Sequence, residues 1–146
     1  MTGYSGKRGS AKKYTSASGS EANYATPHRL VQMLMEGALD KIAIAKGAID
    51  RKDIQLRHDN ITWAVSIIDA LRSSLDAEKG GEIAVNLEAL YLYMNKRLIE
   101  GGTANDVEAL NEVASLLNEI KQAWDSMPAY IRHAPDIHEA VSGSET

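Results

Sequence analysis

The 146-residue chain has no cysteine and no phenylalanine, and aromatic residues make up only 5% of it. Without cysteine there can be no disulfide, no thiolate metal ligand and no sulfur nucleophile, and a reducing compartment is permitted. With so few aromatics the core has to be built from Leu, Ile, Val, Ala and Met, a mixture that helices accommodate well. No uncharged apolar run is long enough to span a bilayer. The Lys and Arg residues near the N-terminus are not followed by the apolar segment of a secretory signal. A cytoplasmic protein without stable membrane insertion is expected.

The chemical motifs of common enzyme classes are also missing. There is no glycine loop ending in Gly-Lys-Ser/Thr and no dinucleotide fingerprint. A carboxylate-bridged metal bundle needs Glu-x-x-His pairs, but Ala25, Gln55, Tyr130 and Pro135 stand three residues before His28, His58, His133 and His138. His28 and His58 therefore read as surface or boundary residues. Ser73, Ser74, Asp76 and Glu78 cluster with no histidine near them in sequence, which makes no acyl-transfer set. Neither catalysis nor a metal or cofactor is expected.

What is present is an ordinary globular composition, 44% hydrophobic and 25% charged, of a length suited to one domain. The formal net charge of −4 argues against a general nucleic-acid binder. Positive charge is concentrated at Lys7, Arg8, Lys12 and Lys13, with no acid before Glu21. Residues 1–23 lack helical or strand periodicity and read as a flexible basic arm. Residues 24–127 read as the folded domain, and residues 128–146 as a tail able to form a short helix or to lie across the domain.

Within the domain the spacing predicts four helices. Thr26-Pro27 starts the first, over 27–50, because a Thr hydroxyl accepts an orphan N–H and Pro at the first helical position lacks one. Its apolar face reads Leu30, Val31, Leu34, Ala38, Ile42, Ala45 and Ile49. Asp53 caps the second, over 54–77, with a seam of Ile54, Ile61, Ala64, Val65, Ile68, Leu71 and Leu75; Trp63, Ile67, Ala70 and Ser74 fall on the opposite side. Gly80-Gly81 reads as the turn into the third, over 82–100, which buries Ile83, Leu87, Leu90 and Met94 with Tyr91 at the edge. Val85, Leu92 and Ile99 follow one another at seven-residue steps and project roughly 160 to 200° away from Ile83. Gly101-Gly102 ends this helix, and Thr103 or Asn105 caps the fourth, over 105–127. A single stripe from Val107 through Leu110, Val113, Ala114, Leu117, Ile120 and Trp124 to Met127 satisfies the fourth helix, and Pro128 stops it.

The fold class expected is therefore all-α, an antiparallel up-down-up-down four-helix bundle. Helices two and three, joined by a short turn, must be antiparallel neighbours, so their outward apolar stripes should flank a common groove.

Three segments resemble a known family. Ala25-Thr26-Pro27-His28-Arg29-Leu30-Val31-Gln32-Met33-Leu34 with Glu36-Gly37-Ala38 is similar to the opening helix of bacterial flagellar secretion chaperones of the FliS type. Asp76 to Ala84, Asn86-Leu87, Leu90-Tyr91, Tyr93-Met94 and Arg97-Leu98 resemble that family's most specific segment, and Val113, Leu116-Leu117, Ile120 and Ala123-Trp124 resemble its ending. The resemblance implies a cytosolic chaperone that binds the C-terminal region of flagellin, prevents its premature polymerisation and brings it to the export gate of the flagellar type III apparatus. The groove expected between the outward stripes, with its flanks, takes in Met33, Trp63, Ile67, Ala70, Ser74, Val85, Asn86, Ala89, Leu92, Tyr93 and Ile99, and the gate contact that the resemblance implies falls on Tyr14. The alternative is a homodimeric helical-bundle structural or adaptor protein whose outer apolar stripes are a self-association interface; a chaperone could also form a homodimer when cargo is absent.

Overall fold

In a computed structural model, described over residues 25–133, the chain forms four long helices and one short one: α1 (Pro27–Arg51), α2 (Ile54–Ser73), α3 (Ala77–Ala104), α4 (Val107–Asp125) and α5 (Ala129–Arg132). The arm with Tyr14, and the tail beyond His133 with Ile137 and Val141, lie outside the described residues. No helix among those described is long and apolar enough to cross a membrane.

The helix starts follow local chemistry. Thr26 caps α1 by accepting the Arg29 N–H at 3.2 Å, with Pro27 in the first turn. Asp53, Asp76 and Asp106 cap α2, α3 and α4 in the same way, each accepting backbone N–H groups two or three residues on. Two of the connections share one further device. Lys52 and Asn105 take left-handed conformations, φ 59° and 54°, and end α1 and α3, and the Asp that follows each caps the next helix. Two residues thus turn the chain through each hairpin.

Cross-helix contacts fix the direction of each neighbour. From α2 to α3, Ile61 lies against Gly102, Asp69 meets Asn95 and Arg72 meets Glu88, so residue numbers rise on one helix as they fall on the other. From α3 to α4, Arg97 meets Glu112 and Gly101 lies against Leu110. From α1 to α4, His28 meets Trp124. The ring of neighbours α1–α2–α3–α4 is an antiparallel bundle around Met35, Ile42, Ile68, Leu71, Met94, Leu98, Leu110 and Leu117, all essentially solvent-free. At Gly101 a Cβ would come within 2.6 Å of Leu110 and 2.9 Å of Ala109, so glycine is what lets α3 and α4 approach there.

The structure corrects several expectations. The second helix ends at Ser73, not 77, because Asp76 offers a stronger start for α3 than the glycine pair offers for a turn. Gly80 and Gly81 lie inside α3, where Gly81 (φ 57°, ψ −134°) breaks the helix after its first turn. Nothing lies within 4 Å of the space a Gly81 Cβ would take, so backbone conformation rather than room selects glycine. Gly101 and Gly102 do not end the third helix but are buried in its last turns, and Asp106, not Thr103 or Asn105, caps the fourth. The core phase of α3 is also rotated. Ala84, Tyr91, Met94 and Leu98 face inward with Leu87 and Leu90 half-buried, whereas Ile83 is 72% exposed. On α2, Ile54 is exposed beyond the bundle end and Ile67 is in the core.

His28 is not a surface residue. It is buried in the first turn of α1, stacked on the Trp124 ring with centroids 4.9 Å apart. Its Nε2 lies 2.6 Å from the Trp124 carbonyl, which can only accept, so this nitrogen carries the proton. Trp124 Nε1–H returns a hydrogen bond to the His28 carbonyl at 2.9 Å, and Gln32 donates to Asp125 beside them. The beginning of α1 and the end of α4 are clasped by both the rings and the backbone.

Candidate functional site: two apolar faces

The outer face of α3 carries Val85, Leu92 and Ile99, each about half exposed, and a bundle with a filled core has no packing use for them there. Three residues at seven-residue spacing make a seam about 21 Å long. Asn86, Ala89 and Lys96 are exposed beside it, and Ile83, which periodicity assigns to the core, is exposed at the start of the helix on another side from the seam.

Polar groups border the seam on both sides. Toward α2, Asn95 is buried and donates from Nδ2 to Asp69 at 3.1 Å, while its Oδ1 is buried with no hydrogen-bond partner. Toward α4, Glu112 accepts the Tyr93 hydroxyl on Oε2 and the Arg97 Nε–H on Oε1, both at 2.7 Å. Arg97 also donates to Glu100 at 3.1 Å. The hydrogen bond from Arg97, with that from Tyr93, holds the Glu112 carboxyl below its ordinary range. The bond to Glu112 in turn raises the Tyr93 phenol and is the main cause raising the Arg97 guanidinium.

The other expected site residues are placed elsewhere. Ile61, Val65, Asp69 and Arg72 are α2 positions that meet α3. At ~100° per residue, Trp63, Ala70 and Ser74 fall on the opposite flank of α2, toward α1. Lys41 of α1 confirms that placement, with its Nζ 3.8 Å from the centre of the half-buried Trp63 ring. Ile67 is 8% exposed and belongs to the core, Met33 is half-buried, and Ala70 and Ser74 are open. The expected common groove between α2 and α3 is therefore not formed. Its members divide into a broad seam on α3 and a smaller, more polar face between α1 and α2. Sequence periodicity missed this because it locates opposite sides of one helix without saying which neighbour each side meets.

A recess of about 360 Å³ lined by Ile49, Lys52, Asp53, Ile54, Arg57 and Asn105 lies at the hairpin-turn end, away from both faces. No group of three or more metal-ligating side chains occurs among the described residues.

Fold and surface together define the class: an antiparallel helical bundle with a heptad seam on its outside. Comparison with known proteins then gives the family. The family model described as flagellar protein FliS matches residues 10–130. The flagellar secretion chaperone FliSB of Pseudomonas aeruginosa is 48% identical over 103 residues, which cover 70% of this chain and 82% of that one. The flagellar secretion chaperone FliS of Vibrio cholerae is 38% identical over 136 residues, 92% of this chain and 96% of that one. That of Bacillus subtilis is 32% identical over 111 residues, 76% and 82% of the two chains. The chain belongs to the FliS family of flagellar proteins, and flagellum biogenesis is its setting.

Proposed function

We propose that the protein is a cytosolic export chaperone, not an enzyme, which binds the C-terminal segment of flagellin, keeps it from polymerising and hands it to the flagellar type III export gate. The observation that carries the reading is the exposed seam Val85, Leu92 and Ile99 on a helix whose opposite side already fills the core. A heptad seam is the surface onto which an amphipathic segment docks as a helix. Burying on the order of 1,000 Å² of apolar surface at ~25 cal/mol/Å² gives a gross ~25 kcal/mol. Ordering the segment and restricting its motion consume most of that, leaving a micromolar to nanomolar complex. The Trp63 and Lys41 face lies around the bundle from the seam, so a cargo using both must reach them with separate stretches of chain. Delivery to the gate through Tyr14 rests on the family resemblance.

Calorimetric titration with a peptide spanning the flagellin C-terminal region tests the proposal. The wild-type protein should bind, and Leu92→Asp should weaken binding by about 100-fold with helicity retained, as expected for a central apolar contact replaced by a charge. Normal binding by Leu92→Asp would move the site off α3. A seam of this kind is also self-complementary, which favours a cargo-free dimer as the second reading. Light scattering separates the two: a dimer that persists unchanged with cargo present supports self-association, whereas conversion to a one-to-one complex supports the chaperone.

A further inference from the structure

We infer that Glu112 of α4 is a positioning residue for partner binding: by accepting the Tyr93 hydroxyl and the Arg97 Nε–H on separate oxygens, it fixes the Tyr93 ring before a partner arrives on α3. The inference rests on the reading of α3 as the cargo face.

Tyr93 follows Leu92 on α3, one turn from Ala89, and is 41% exposed. A phenol ring so placed is an efficient contact for an incoming helix, since it offers a large apolar body and one polar tip. Left alone it would sample several rotamers, and binding would have to freeze it. Here the tip is already held at 2.7 Å by Glu112. The carboxylate is itself fixed from its other oxygen by Arg97, which is anchored to Glu100. The chain of contacts Tyr93–Glu112–Arg97–Glu100 thus runs along one flank of the seam and ends on an aromatic ring.

A purely structural role accounts for only half of this. The Arg97–Glu112 pair alone straps α3 to α4, and the Tyr93 hydroxyl adds nothing to the core, where Tyr91 and Met94 of the same helix are already buried. What the hydroxyl gains from Glu112 is a fixed orientation on the outside. Neither residue is near the other in sequence, so the pairing exists only once the hairpin of α3 and α4 has closed.

The test is a double-mutant cycle in the full chain, read as affinity for the flagellin C-terminal peptide. Tyr93→Phe and Glu112→Ala should each weaken binding about two- to tenfold, the range expected for one side chain losing its preorganisation. The double variant should be no weaker than the weaker single variant, since both remove the same hydrogen bond. Tyr93 should also ionise at lower pH in Glu112→Ala, followed by phenolate absorbance. Should Glu112→Ala lose helicity, Glu112→Leu, which keeps bulk but has no acceptor, and Tyr93→Phe carry the cycle. Affinity unchanged in the single variants, or losses that multiply in the double variant, overturns the inference. If the wild-type protein does not bind the peptide, the cargo reading fails first, a result recognisable without any variant.

Discussion

Helices α3 and α4 are antiparallel neighbours of the same bundle, yet they treat their outer faces oppositely. On α4 the apolar residues gather into one stripe, with Leu110, Val113 and Leu117 fully buried and Glu108, Ser115, Glu119 and Gln122 turned to water. Helix α3 buries Tyr91, Met94 and Leu98 and still carries Val85, Leu92 and Ile99 outside. Folding accounts for every large apolar residue of α4 but not for Val85, Leu92 and Ile99 of α3. A helix needs one stripe to join a core, so packing within the bundle leaves the second stripe on α3 unaccounted for.

The sharpest way to break that comparison is to truncate one leucine on each helix. Leu117→Ala should destabilise the protein by about 2–5 kcal/mol, since it opens a cavity in a packed core. Leu92→Ala should stay within about 0.5 kcal/mol of wild type, as exposed substitutions do. Denaturant unfolding of the two variants measures both, and similar losses would mean that α3 has no spare face.

The inner and outer tyrosines of α3 give a second contrast. Burial pushes the Tyr91 phenol up from 10.0 to about 12. Its folded value exceeds its unfolded one, so the stability it supports is complete below pH 10 and is lost as pH rises toward 12. That loss amounts to about 2–3 kcal/mol at 1.36 kcal/mol per pH unit. Unfolding free energies between pH 9 and 12 should therefore fall less steeply in Tyr91→Phe than in the wild-type protein.

The smallest effect concerns the strap from α4. Glu112 is held below its ordinary carboxylate range, so the stability it lends is present above that range and disappears as pH falls through its folded value. Glu112→Gln should flatten the acid limb of the stability curve slightly, and high salt should reduce the difference, because the pair is exposed.

The sequence legibly marked the starts of α1 and α2 and the single stripe of α4, because each rests on local signals: Thr26-Pro27, Asp53 and one uninterrupted period. It misled where two local signals competed. Gly80-Gly81 looked like a turn, but Asp76 could cap a helix four residues earlier and Gly81 could be carried as a kink. It misled again on α3, where two apolar stripes made the inward one ambiguous, and Ile83 was preferred to Tyr91 although the structure exposes the first and buries the second. The seam itself was readable from its strict spacing, since Val85, Leu92 and Ile99 differ only by multiples of seven. Which helix faces Trp63, what buries His28 and what holds Tyr93 were not readable. Each depends on a partner from another helix, 96 residues away in the case of His28 and Trp124.

The clasp of His28 and Trp124 has a mechanical corollary. Two corners of the bundle are closed by covalent two-residue hairpins, but this corner is closed by non-covalent contacts: the stacked rings, the pair of hydrogen bonds between His28 and Trp124, and the Gln32–Asp125 bond. Ala25 and His133 border one recess beside it, so the first and last described residues lie close together. Parting α1 from α4 at this end requires those two rings to unstack.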